Sequence, residues 1–212
     1  MRRALHQVVF ALSLLVSATA FAQSPDPLVE TLDPAQLPPA WESLLSGLRS
    51  VDTVQADFEE RRFFRFRARP LTLRGTLRLE RGRGLSLQYT HPETYIVIVD
   101  ARGVLVRDEH GRERAAPAHA AESTAHLLKA LELDLAALGQ EFLIRGRLET
   151  PSWSLSLEPH ASSGMNIEFG GTDHLVRHLS LYPTPGRRID ITLRNIVSGS
   201  TFSADELERF FR

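Results

Sequence analysis

Polar and apolar residues alternate along most of this chain. Leu71, Leu73, Leu77 and Leu79 alternate with Thr72, Arg74, Thr76 and Arg78; Leu85, Leu87 and Tyr89 with Ser86, Gln88 and Thr90. The pattern returns at Trp153, Leu155 and Leu157 and again at Ile189, Ile191 and Leu193. A period of two means antiparallel strands with one dry and one wet face. Turn signals such as Arg81-Gly82-Arg83-Gly84, His91-Pro92, Gly170-Gly171 and Thr184-Pro185-Gly186 separate them. About eleven strands are predicted, near 54–66, 71–80, 84–90, 94–100, 103–108, 112–116, 140–148, 152–158, 165–169, 174–182 and 187–197.

Three stretches break the pattern. Pro38 and Pro39 start a short helix with Trp41, Leu44, Leu45 and Leu48 on one face. A polar, Ala-rich stretch and helix over roughly 120–138 carries Leu127, Leu128, Leu131, Leu135 and Leu138, and Ser203 with Glu206 forms the capping box of a last helix. The expected fold is mainly β: one unclosed, strongly curved antiparallel half-barrel. A sheet this long curls because it twists. Its dry face needs a packed core or a ligand; two helices are few to cover eleven strands, which hints at a cavity, and a fully packed barrel or sandwich is the alternative. Tyr95-Ile96-Val97-Ile98-Val99 is apolar on both faces and should be covered twice, by the core and by a helix.

The N-terminus has a different logic. Arg2 and Arg3 precede an apolar run over Val8–Val16 and an Ala20-Phe21-Ala22 site, the form of a cleaved export signal ending at residue 22. The run is far shorter than the roughly 20 residues of a membrane span. Residues 23–39 read as a mobile lead rich in Pro and acidic residues, and 40–212 as one domain. Without cysteine there is neither a disulfide framework nor a thiolate metal site. A net charge of −1 over 212 residues supplies no global field for nucleic acid or anionic lipid.

Candidate chemistry is sparse. There is no His-Glu-x-x-His and no Gly-x-Ser-x-Gly, so no catalytic residue, metal or cofactor is assigned. His174 and His178 would lie roughly 13 Å apart on a strand, too far to share an ion. His110, His119 and His126, with Glu109, Glu113 and Glu122, read as a surface connector. The run from Arg61 to Arg69 places Phe58, Phe64 and Phe66 on one face with Arg62, and Arg61, Arg65, Arg67 and Arg69 on the other. That outer stripe is either a solvated face or a docking surface for an acidic partner or an anionic headgroup.

Several strings resemble the LolA/LolB family of periplasmic lipoprotein carriers. They are Val54-Gln55-Ala56-Asp57-Phe58, Gly75-Thr76-Leu77-Arg78-Leu79, Arg81 to Tyr89 followed by Pro92, Ile98 to Leu105, Trp153 to Pro159, and Asn195 near the end. The resemblance implies an open barrel with a helical lid over a hydrophobic cavity that shields acyl chains of a lipoprotein or envelope lipid. It also implies periplasmic localisation, an inner-membrane releasing transporter and an outer-membrane acceptor as partners, and a monomer. On it the cavity lining is Phe58, Phe64, Phe66, Leu73, Leu77, Leu85, Leu87, Tyr89, Trp153, Leu155, Ile191 and Leu193, and the lid Leu127, Leu131 and Leu135. Arg62 is the candidate polar contact to cargo. The family's Arg-Trp pair is here Ser86-Leu87 or Leu87-Gln88, so its lid latch is not carried over; Arg62 and Arg78 are the other candidates. A non-transport sensor on the same fold and a hydrolase of envelope lipids are the rival readings.

Overall fold

The computed structural model describes residues 29–116, 128, 130–161 and 164–211. The expected leader and Leu127 lie outside them. The strands are β1 (Glu30–Thr31), β2 (Thr53–Phe64), β3 (Leu71–Glu80), β4 (Gly84–His91), β5 (Tyr95–Asp100), β6 (Gly103–Asp108) and β7 (Glu113–Ala115), then β8 (Phe142–Glu149), β9 (Ser152–Pro159), β10 (Asn166–Thr172), β11 (Leu175–Thr184) and β12 (Arg187–Ser198). Among the described residues the helices with defined bounds are α1 (Pro39–Arg49), α2 (Leu135–Glu141) and α3 (Ala204–Phe210), and residues 128 and 130–132 are also helical. All strands join one antiparallel sheet in the order β1-β8-β9-β10-β11-β12-β2-β3-β4-β5-β6-β7. β1 and β7 do not pair, so the barrel stays open. Both edges are short, two and three residues, which leaves little backbone free to recruit another chain.

Each of the eleven predicted strands has its counterpart. The added strand is β1, in the segment expected as a mobile lead: Glu30 and Thr31 pair with Gly146 and Arg145 of β8, and Leu32 is buried. The seam between the two halves is β12 against β2, from Arg187 beside Phe64 to Ser198 beside Val54. The seam breaks between Arg194 and Val197, where Asn195 takes a left-handed φ of 50° and donates from Nδ2 to Asp57 Oδ2 at 2.8 Å. Asparagine tolerates that conformation better than a larger or branched residue would.

Alternation puts the larger core on the concave face. Phe58, Leu73, Leu77, Leu85, Leu87, Trp153, Leu155, Ile191 and Leu193 join Trp41, Leu44, Leu45 and Leu48 of α1 in one buried cluster. Two glycines let α1 approach closely. A Cβ on Gly146 would stand 2.4 Å from the Trp41 ring, and one on Gly47 would stand 2.2 Å from His174.

The convex face has its own small core. Ile96 and Ile98 pack there against Phe202, Phe210 and Phe211, while Val99 faces the larger cluster. The doubly apolar β5 is thus covered on both sides, as its composition requires. Arg78 lies under the Phe210 ring at 3.8 Å and donates to Gln88 Oε1 at 3.1 Å. Arg107 donates to the Arg209 carbonyl at 2.6 Å. Ser203 and Glu206 form the expected capping box. Phe211 is 2% exposed, so Phe211→Ala should cost about 3 kcal/mol in equilibrium urea unfolding. A loss below about 1 kcal/mol would show that the C-terminal tail does not anchor this face.

Candidate functional site

The concave face is the feature from which a site can be built. Its floor is the alternate side chains of ten strands, apolar because each faces the interior of the curl. Over it lie α1 and the stretch from Ala130 to Leu138, whose Leu131, Leu133, Leu135 and Leu138 are all buried in the same cluster. Beneath them lies a cavity of about 40 Å³, lined by Leu48, Leu77, Leu131, Leu133 and Leu193 among others. Lipid-sized pockets run to several hundred Å³. A guest of that size would need α1 or the 130–138 stretch to move aside.

The cover is held by backbone carbonyls as well as by apolar contact. At residue 133 the chain leaves a helical turn and enters α2, with Leu133 at a left-handed φ of 57°. A leucine there costs on the order of 1–2 kcal/mol. Arg49, in the last turn of α1, donates from Nε and Nη2 to the Leu133 carbonyl at 3.2 and 2.9 Å. Arg81, at the β3–β4 turn, donates to the Glu132 carbonyl at 2.6 Å and, at 3.4 Å, to the carbonyls of Leu48 and Val51. Two guanidinium groups thus tie the cover to α1 and to the rim of the sheet.

At the opposite end of the concave face lies a buried polar network. Glu60 is 3% exposed; it accepts from Tyr89 Oη at 2.6 Å and from Arg62 Nε at 2.5 Å. The Tyr89 ring stacks on Tyr95 at 4.5 Å and meets Phe58 edge-on at 5.1 Å. Burial opposes the charge on Arg62, but the Glu60 carboxylate outweighs it and raises the guanidinium pKa above its ordinary value. Burial, reinforced by Glu60, pushes the Tyr89 hydroxyl well above the ordinary phenol range.

The sequence-based site residues fare unevenly. Leu73, Leu77, Leu85, Leu87, Tyr89, Phe58, Trp153, Leu155, Ile191 and Leu193 share the concave cluster, and Leu131 and Leu135 cover it. Phe66 is a correction: it is 85% exposed, because β2 ends at Phe64 although the sequence alternation runs on into the turn. Phe64 is half-buried at the strand end, with Phe66 at 5.6 Å and Arg187 over its ring. Arg62 does face inward, into the Glu60 network. Arg78 is excluded as a latch because it sits on the convex face beneath α3. Arg49, Arg81 and Glu60 were missed. Arginine-to-carbonyl bonds across 84 and 51 residues leave no trace in local pattern. Glu60, by contrast, stood at a dry position of its own strand and could have been flagged. His174 lies in the turn between β10 and β11, not on a strand, and packs against α1. Among the described residues no three His, Asp or Glu side chains cluster as a metal site.

The raised Tyr89 pKa has a pH consequence. Below pH 10 the phenol is neutral in both states and its contribution is fully present. Above that the unfolded chain ionises first, so stability should fall as pH rises through 10 and beyond. Tyr89→Phe should flatten this alkaline slope in thermal unfolding, whatever it does to the melting temperature at neutral pH. An unchanged slope would mean that Tyr89 is not held neutral by the fold.

No curated protein sequence matches. Solved structures with a similar chain course include a LolA superfamily protein from Nitrosomonas europaea, at 9% identity and a TM-score of 0.43 over 78% of this chain and 96% of that one. A DUF1329 family protein from Desulfovibrio piger aligns at 10% identity and a TM-score of 0.47, over 79% and 95%. The Pseudomonas aeruginosa MucA/MucB complex aligns at 13% identity and a TM-score of 0.46, over 79% of this chain and 59% of that one. Residues 49–209, from the end of α1 into α3, match the family model described as outer membrane lipoprotein carrier protein LolA. The chain therefore belongs to the LolA family.

Proposed function

We propose that this protein is a periplasmic carrier that shields acyl chains of a lipoprotein or an envelope lipid on its concave face during transfer towards the outer membrane. The observation that carries the reading is a continuous apolar face covered by elements that are not part of the sheet. The cover is tied down by a few arginine–carbonyl bonds, and a short set of polar contacts can be broken and remade. Moving an acyl chain from water onto this face is worth about 0.8 kcal/mol per CH₂. That gain must offset the exposure of Leu131, Leu133, Leu135 and Leu138 when the cover swings away. No step in this reading makes or breaks a covalent bond. In this reading Arg62, partly exposed beside the buried Glu60, contacts the polar end of such a cargo. An export signal over residues 1–22, a releasing transporter in the inner membrane and an acceptor in the outer membrane complete the proposal.

A second reading has one observation in its favour. The cavity beneath the cover is only about 40 Å³, which suits a non-transport binding module whose partner docks outside. The deciding experiment is native mass spectrometry of the protein purified from the envelope without detergent, before and after organic extraction. A bound mass lost on extraction supports the carrier and identifies its cargo. A clean mass, together with no uptake of a fluorescent fatty acid, overturns it in favour of the binding module.

The cover makes its own prediction. Arg81→Ala removes the bond to the Glu132 carbonyl, a charge-assisted contact worth about 2 kcal/mol. The open fraction should rise about thirtyfold, seen as faster uptake of the fluorescent fatty acid, and Arg49→Ala should act in the same direction. Uptake rates unchanged in both variants would show that these arginines do not restrain the cover.

A further inference from the structure

The turn after β2 is built unlike the rest of the surface. β2 stops at Phe64, the Arg67 N–H donates to the Phe64 carbonyl at 3.0 Å, and the chain reverses over residues 65–70 before β3. At its tip Phe66 is 85% exposed, more than any other large hydrophobic side chain among the described residues. Arg65, Arg67 and Arg69 flank it, all exposed, and none has an ion pair among the described residues. The carboxylates on the adjoining strands are already engaged. Glu59 meets Arg61 and Arg74, Glu60 meets Arg62, Asp57 meets Asn195, and Asp190 meets Arg188. The neighbouring β11–β12 turn brings its Gly186 against Arg65 and adds Arg187 and Arg188, stacked on Phe64 and Phe63. One end of the sheet therefore presents a protruding ring flanked by Arg65, Arg67 and Arg69, which have no ion pair among the described residues, with Arg187 and Arg188 beside them.

We propose that this tip docks the protein on an anionic phospholipid bilayer. Guanidinium groups at the headgroup level attract lipid phosphates, while a short apolar side chain between them enters the boundary with the acyl region. A turn of six residues is too small to form a standard protein interface of about 800 Å² per partner. It is also convex, so a protein partner would need a matching hollow, whereas a fluid bilayer admits the ring wherever it lands. The Glu60, Arg62, Tyr89 and Tyr95 network lies on the same end of the concave face, because Arg62 is two residues from the end of β2 and Tyr95 opens β5. Docking at the tip turns that end of the face towards the lipid.

The proposal does not depend on the carrier reading, and its test is separate from cargo loading. The full chain, exported and purified from the soluble envelope fraction, is sedimented with phosphatidylcholine vesicles containing or lacking phosphatidylglycerol. The expected result is binding to the anionic vesicles alone, weakened by salt and reduced about fivefold by each Arg→Ser change at 65, 67 or 69. Phe66→Ser should weaken binding, and Phe66→Trp should add blue-shifted emission only with anionic vesicles. These positions are exposed, so urea unfolding curves of the variants should overlay the wild type. No binding to anionic vesicles overturns the proposal, as does equal binding by the Phe66→Ser and triple-arginine variants. Capture of an acidic protein at the tip without vesicle binding also overturns it.

Discussion

The structure depends on covering an apolar concave face that the sheet cannot cover itself. Twelve twisted strands among the described residues curl without closing, and their inward side chains include leucine, isoleucine, phenylalanine and tryptophan. At roughly 25 cal/mol per Å², that face would be costly left in water. α1 and the 130–138 stretch meet the need, but neither belongs to the ladder of backbone hydrogen bonds. The strongest part of the fold and the part that would move in the proposed loading are therefore different elements. Such division suits a binder, because the sheet keeps its shape while its cover is exchanged.

The two ends of the concave face have opposite chemistry. At one end arginines reach backbone carbonyls, which accept without carrying a net charge, so Arg49 and Arg81 hold the cover through geometry. At the other, Arg62 and Tyr89 converge on the buried carboxylate of Glu60, and the charge of Glu60 is compensated on the spot. An unpaired carboxylate at 3% exposure would be severely penalised. The network thus lets a charged floor exist inside an otherwise apolar face, and it leaves part of Arg62 accessible.

The convex side shows why a strand apolar on both faces is not an error of pattern. Ile96 and Ile98 find Phe202, Phe210 and Phe211, and Arg78 is buried there by lying flat under an aromatic ring. The requirement for a second cover was legible in Tyr95 to Val99. The particular helix that supplies it was not, because helix amphipathicity says which face is dry but not what it will meet. Phe66 shows the same limit in reverse. Its place in an alternating run matched a strand, yet the alternation outlasted the strand by two residues.

Sequence alone determined the eleven major strands, the helix that starts at Pro39, the last helix with its Ser203–Glu206 cap, and the inward set from Phe58 to Leu193. All of these follow from side-chain period and local capping, which act over a few residues. Only the tertiary structure decided that α1 and the 130–138 stretch cover the concave face. It alone placed Arg81 and Arg49 on the carbonyls of the cover, buried Arg78 on the other side, and left Phe66 outside. Those outcomes rest on contacts between segments far apart in the chain, made after the sheet has curled. Their energies depend on distance and burial in three dimensions, and a local pattern carries neither.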